Sequence, residues 1–170
     1  SPNVTPMASG KLSHVKGLIK PSPKGFILWV TGTLPRYTRI HVSDILGPEI
    51  LSYLHEQERF SKAVSAEIHD LLLLRLPLQE DGWDEYRRWG DIDPTLKRYQ
   101  ANQSTTFPAA LNKSRLCIHT YNSTGYLESF AANFPTLLFW GLEKREVRMS
   151  AQPYFDDLRR VGILHDTPES

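Results

Sequence analysis

The stretch from Arg115 to Trp140, RLCIHTYNSTGYLESFAANFPTLLFW, decides the fold. Arg115-Leu-Cys-Ile-His119 is a short apolar run of strand character, and Thr120 to Thr124 is a polar loop. From Thr124 to about Asn133 the apolar residues Leu127, Phe130 and Ala131 recur at helical spacing. Pro135 to Trp140 then returns to a strand. A strand, a helix and a strand in this order form a crossover unit, in which the helix carries the chain back so that the strands pair in parallel.

The same alternation extends outward on both sides. Phe26 to Thr31 is a continuous apolar run, which suits a parallel strand buried on both faces. Ile45, Leu46, Ile50, Leu51 and Leu54 predict a helix from about Asp44 to Arg59, and a shorter one is expected over Lys62 to His69. Leu71 to Leu76 is a second buried strand, which Pro77 ends. Trp83, Tyr86 and Trp89, spaced by three, predict one or two helical turns between Gly82 and Tyr99, followed by a weak strand near Leu96 to Tyr99 and a helix over Phe107 to Lys113. A last helix is expected from about Ser150 to Val161, burying Ala151, Tyr154, Phe155, Leu158 and Val161, with Gly162 placed to stop it. No internal repeat interrupts the pattern. The fold class is α/β, a Rossmann-like three-layer domain with a mostly parallel sheet.

The chain has 170 residues, enough for one such domain with a core that needs no disulfide or metal. Residues 1–25 are rich in Pro, Ser and Lys and read as a linker or interdomain segment with a short helix near Leu12 to Ile19; residues 26–170 form the domain. The chain opens without Met, and Thr167-Pro168-Glu169 has the form of a helix start, so a piece of a longer protein, truncated at its C-terminus, is expected. A frayed natural terminus is the alternative. Twenty Lys and Arg against nineteen Asp and Glu leave a net charge of +1, which argues against a dedicated nucleic-acid binder. The single Cys117 can form no internal disulfide and points to a reducing compartment. With no signal-peptide pattern and no apolar run near the roughly 20 residues of a membrane span, a cytoplasmic location is expected, with membrane association only through the rest of the protein.

Ligands of parallel sheets bind beyond the carboxyl ends of the strands. The candidate here is Thr120-Tyr121-Asn122-Ser123-Thr124-Gly125, where a helix start offers unpaired N–H groups and partial positive charge to a phosphate. Ser123 and Thr124 add hydroxyls, and Gly125 permits close approach to the backbone. Glu128 falls one turn beyond Thr124, roughly 6 Å along the axis, where a carboxylate can accept from two ribose hydroxyls. The alternative is that Thr124 caps the helix and Glu128 is solvated.

The segment Arg115 to Trp140 resembles the donor-binding half of GT-B glycosyltransferases, and the chain from Ile27 to Ser170 resembles, more narrowly, transferases of bacterial surface-carbohydrate (O-antigen type) biosynthesis. The resemblance rests on Leu34-Pro35-Arg36-Tyr37, Leu74-Arg75-Leu76, Gly82-Trp83, Arg88-Trp89, Thr120 to Glu128, Ser150 to Phe155 and Val161 to Ser170. The chain departs from that pattern at Gly141 to Arg145, where an aromatic, Asn-Pro-rich stretch is usual, and at Gly125, usually bulkier; Glu146 and Arg148 match. The resemblance implies the C-terminal half of a GT-B architecture, which binds a nucleoside-diphosphate sugar facing an N-terminal acceptor-binding domain of the same full-length protein. Ser123 and Thr124 would then bind the diphosphate and Glu128 the ribose, Asn122 and Gly125 would belong to the same donor-binding turn, Arg36 would be a second phosphate contact, and Arg148 would neutralise the leaving diphosphate. No metal or other cofactor is implied, since the helix dipole and cationic side chains stabilise the leaving diphosphate. The general base stays unassigned.

Each of these residues also has a plainer role open to it. Arg36 fits a surface arginine, and Arg148 a salt bridge to Glu143 or another neighbour. Arg75 either faces the site or pairs structurally, while Tyr121 and Trp140 either stack on a ligand or fill the core. Asp91-Ile92-Asp93 has the Asp-x-Asp form of metal-dependent transferases, but it precedes Pro94 in a polar loop. His119 and Cys117 fit packing roles on a strand. Neither a Walker loop nor a Gly-x-Gly-x-x-Gly motif occurs. Two other functions stay open: a GT-B-type sugar-nucleotide epimerase, and a nonenzymatic interaction module that docks a partner through the aromatic segment Trp83 to Tyr99.

Overall fold

The structure is a computed structural model that describes residues 17–32, 49–79, 82–102, 104–140 and 147–170. Its strands are β1 (Phe26–Val30), β2 (Leu72–Leu76), β3 (Arg98–Gln100), β4 (Ser114–His119), β5 (Thr136–Phe139) and β6 (Leu164–His165). Its helices are α1 (Ile50–Ala63), α2 (Ala66–His69), α3 (Glu85–Ile92), α4 (Phe107–Leu111), α5 (Thr124–Ala131) and α6 (Gln152–Arg160). All five strand pairings are parallel, and the order across the sheet is β3-β2-β1-β4-β5-β6. This is the doubly wound Rossmann order, in which the chain starts in the middle of the sheet and turns outward in opposite directions.

Alternation along the central strands sends side chains to two packed layers. Ile27 and Trp29 join Leu72, Leu74, Leu76, Ile118 and Phe139 on one face, covered by Phe60 of α1 and Trp89 of α3. Trp29 is fully buried there, edge-on to Phe60 at 4.9 Å and to Trp89 at 5.1 Å, and its indole N–H donates to the buried Gln57 Oε1 at 3.3 Å. Leu28, Val30 and Cys117 point to the other face, against Phe107, Ala110 and Leu111 of α4 and the segment Ala132 to Phe134. Beyond β4, Tyr126 of α5 and Phe155 and Leu158 of α6 cover Leu138, Trp140 and Leu164. The residues before β1 run along the domain: Ile19 N–H donates to Ala132 O at 3.0 Å and Ser22 N–H to Ser114 O at 2.8 Å.

Several expectations are corrected. β6 was not foreseen, because two residues carry no periodicity; it adds to β5 through Leu138 and Leu164. The helix expected over Lys62 to His69 is split, since α1 runs on to Ala63 and α2 restarts at Ala66 behind the N-cap Ser65. On α1, Leu51 is 63 % exposed and Tyr53 and Gln57 take the buried stripe with Ile50 and Leu54. Ile45 and Leu46 lie outside the described residues. On α5, Leu127 and Phe130 pack against the core as expected, but Tyr126 and Ser129 are the more deeply buried residues and Ala131 is exposed. On α6, Tyr154 and Val161 are exposed at 72 % and 55 %, because only Phe155 and Leu158 of that stripe reach the sheet. Leu18 and Ile19 are not helical. Among the described residues no helix is long and apolar enough to cross a membrane.

At the amino edge of the sheet, Asp93 ties three helix ends together. Its Oδ2 accepts from Ser61 Oγ at 2.7 Å and lies 2.7 Å from His69 Nε2, while Oδ1 accepts from Thr95 Oγ1 and Leu96 N–H. Burial raises its pKa, but the bonds from Ser61, His69 and Thr95 outweigh that and bring it down to about 2. A carboxyl held below its ordinary value adds stability that is present above pH 4 and lost as pH falls through the folded value. Asp93→Asn should therefore cost about 1–2 kcal/mol at neutral pH, allowing for partial solvent screening, and flatten the loss of stability between pH 4 and 2. Urea melts of both proteins across that window check it; parallel curves would contradict it.

Candidate functional site

In the doubly wound order, adjacent strands whose crossovers leave in opposite directions open a crevice at their carboxyl ends. Here those strands are β1 and β4. One rung of the sheet runs along this edge through Tyr99, Arg75, Val30, His119, Leu138 and Leu164, all on the α4–α5 side because paired residues of parallel strands point the same way.

Just above the rung, a buried network spans the two strands. Tyr53 of α1 accepts from Gly32 N–H at 2.7 Å and shares a 2.8 Å hydrogen bond with Thr120 Oγ1, which in turn donates to Val30 O at 3.3 Å. Burial drives the Tyr53 phenol well above the ordinary tyrosine value, so it stays protonated. Gly32 has no room for a side chain, since a Cβ would come within 2.8 Å of the Tyr121 ring. Thr31, 4 % exposed, has a hydroxyl at the same strand end that finds no hydrogen-bond partner among the described residues.

α5 begins beside this network. Ser123 is its N-cap, in extended conformation, with Oγ accepting from Gly125 N–H at 3.3 Å. Ser123 therefore caps the helix, and Thr124, which the alternative reading made the cap, is the first helical residue. Among the described residues the half-buried Thr124 hydroxyl has no protein partner. Asn122 Oδ1 accepts from Tyr126 OH at 3.1 Å and so braces the first turn. Glu128 is half-buried one turn along from Thr124, on the same side of the helix.

His119 lies beneath this turn. It is fully buried, with Nε2 3.2 Å from Cys117 Sγ and 3.3 Å from Ser129 Oγ, and among the described residues its Nδ1 has no partner. Burial pushes its pKa down to about 3 and that of Cys117 up, so both are neutral packing groups at pH 7. The ring fills the space beside Gly125, where a Cβ would come within 2.9 Å of His119 Cε1. The glycine at that position accommodates the histidine.

Of the other expected contacts, Arg148 is exposed in the turn before α6, its carbonyl accepting from Ala151 N–H at 2.8 Å. Arg36, Glu143 and Glu146 lie outside the described residues. Trp140 is core, 2 % exposed and 5.6 Å from the Tyr126 ring. Tyr121 is half-buried over Gly32. Asp93 is occupied at both oxygens at the opposite edge of the sheet. The aromatic segment is largely inward: Trp89 is 3 % exposed and Trp83 packs with Tyr53 and Leu54, leaving Tyr86 exposed beneath Arg98. Sequence reasoning missed Tyr53, Thr31 and Gly32. The available signal was the spacing Ile50, Tyr53, Leu54, Gln57, a helical stripe with a phenol on it.

The whole chain, residues 1–170, matches the sequence profile of a family described as LIC12162 family transferase. No curated protein matches it.

Proposed function

We propose, from the premise that this chain belongs to the LIC12162 transferase family, that it is the nucleotide-sugar-binding domain of a GT-B-type glycosyltransferase of surface-polysaccharide biosynthesis. One observation carries this reading: at the switch point of a doubly wound sheet, α5 presents its capped start, the Thr124 hydroxyl, without a partner among the described residues, and, one turn deeper on the same side, Glu128. A pyrophosphate at the helix start meets backbone N–H groups and the positive end of the dipole. The attached ribose then falls within reach of the Glu128 carboxylate.

In the reaction an acceptor hydroxyl attacks the anomeric carbon, a new glycosidic C–O bond forms, and the bond to the diphosphate breaks. The hydroxyl proton passes to a base on the facing acceptor-binding domain, and the nucleoside diphosphate leaves with the electron pair. Charge builds on the departing phosphate oxygens, where the α5 start and Arg148 stabilise it. The chain alone is expected to bind nucleotide and turn over little, since the facing domain supplies acceptor and base.

Calorimetric titration with UDP, CDP and GDP tests the reading. One of them should bind, and Glu128→Ala should weaken it about tenfold, the worth of one charge-assisted hydrogen bond. The 2′-deoxy form of that nucleotide should lose a similar factor with the native chain and much less with the variant. Absence of binding by all three at millimolar concentration would overturn it.

A further inference from the structure

Arg75 stands two strands from His119 on the rung that edges the site, on the same side of the sheet as α5. Two strand spacings place its Cα roughly 10 Å from that of His119. The side chain is half-buried. Its guanidinium carbon lies 5.8 Å from the centre of the Tyr99 ring and 6.0 Å from that of Phe107, and Nη1 reaches Tyr99 OH at 3.4 Å. Phe107 in turn meets His119 ring to ring at 5.7 Å, so an aromatic wall runs from Arg75 to the histidine beneath the α5 start.

This cation is under-compensated. A guanidinium carries five N–H donors, and a single long bond engages one of them. Among the described residues no carboxylate lies within ion-pair distance of Arg75; Arg59, Arg88, Arg159 and Arg160 have one, and Arg98 and Arg115, which do not, donate instead to backbone carbonyls at 2.8–3.2 Å. Ring contacts at about 6 Å sit at the outer limit of cation–π attraction and cannot replace the water that half-burial removes. Half-buried Arg75 has, among the described residues, neither a carboxylate nor a backbone carbonyl on its fork, only the Tyr99 hydroxyl and two distant rings. Its nitrogens are left to meet an acceptor that arrives from outside, and a planar fork of donors is matched by phosphate or carboxylate oxygens.

We propose that Arg75 holds an anionic oxygen group of the substrate, phosphate or carboxylate, at the carboxyl end of β2, with Tyr99 and Phe107 as the walls that keep the fork in place. The assignment deepens the nucleotide-sugar reading and rests on it for the identity of the substrate. The anion has two possible sources: the diphosphate itself, extended from the α5 start toward β2, or an acid group on the sugar that it carries.

The test uses the 15N-labelled chain, with the Arg75 Nε–Hε signal assigned by its disappearance in Arg75→Gln. Inorganic pyrophosphate and glucuronate are titrated separately, with glucose as the uncharged control. At least one of the two ions should move the Arg75 signal, glucose should leave it in place, and Arg75→Gln should weaken that ion at least tenfold. Arg75→Lys, which keeps the charge but loses the fork, should fall between the two, and it carries the test if the Gln variant does not fold. A response to pyrophosphate names the diphosphate as the source, and a response to glucuronate alone names an acid sugar. If neither ion moves the signal, or if the variants bind both as the native chain does, the assignment is wrong. Nucleotide binding separates this from the broader reading. A chain that binds UDP, CDP or GDP equally with and without Arg75, and shows no ion response there, loses only the Arg75 site. A chain that binds none of the three while pyrophosphate still moves the signal keeps the anion site and loses the nucleotide reading.

Discussion

Lowering the pH from 6.5 to 4.5 should cost the folded chain about 2–3 kcal/mol through His119 alone. The residue is fully buried, and its folded pKa of about 3 lies far below the ordinary value of 6.5. Protonation would place a second N–H on Nδ1, which among the described residues has no acceptor, in a pocket beside Phe107, Tyr126 and Gly125. The sign follows from proton counting. The unfolded chain takes up a proton as pH falls through 6.5 and the folded chain does not, so stability is complete above that value and declines as pH falls toward 3. Chemical denaturation at half-unit intervals reads the slope directly. His119→Leu should lower stability at pH 7 by loss of packing and of the contacts to Cys117 and Ser129, yet be flatter across the window. Equal slopes in the two proteins would show that His119 titrates normally. Because the ring supports Gly125, acid should also loosen the start of α5.

Tyr53→Phe should destabilise the chain by about 2 kcal/mol, a large cost for deleting one oxygen. The phenol is the acceptor for the buried Gly32 N–H and the partner of Thr120 Oγ1, so its removal leaves an amide without an acceptor where β1 and β4 part. Water cannot easily replace it, since Tyr53 is 4 % and Thr120 1 % exposed. The effect should be local as well as global: hydrogen exchange at Gly32 should accelerate more than at Leu28 in the middle of β1. A double-mutant cycle with Thr120→Val should give a coupling near 1 kcal/mol, because each residue serves the other. Additive losses, or a change under about 0.5 kcal/mol for the single variant, would mean that the network does not hold the switch point together.

Much of the architecture was legible in local pattern. The apolar run Phe26 to Thr31 and the alternation of strand and helix from Arg115 to Trp140 carry the α/β class, since a strand buried on both faces must be apolar throughout. Pro77 ends β2, and Gly162, at φ 72°, ends α6. The position of α5, its polar start and Glu128 on its face follow from spacing alone. Where the sequence misled, the residue lay on an apolar stripe that found nothing to cover it, as with Leu51 and Tyr154. Periodicity says which side of a helix is apolar, but not how far the neighbouring layer extends.

The sequence by itself thus determined the class, the parallel crossover units and the helix that opens toward a ligand, because each is written in residues close along the chain. Only the tertiary structure decided that β1 lies in the middle, beside β4, and so where the crevice opens. It alone joined Tyr53 to Gly32 and Thr120, seated His119 against Gly125, and set Arg75 between Tyr99 and Phe107. Those contacts join residues from 6 to 67 positions apart, and strand order is chosen by the packing of whole faces, a choice no local window of sequence contains.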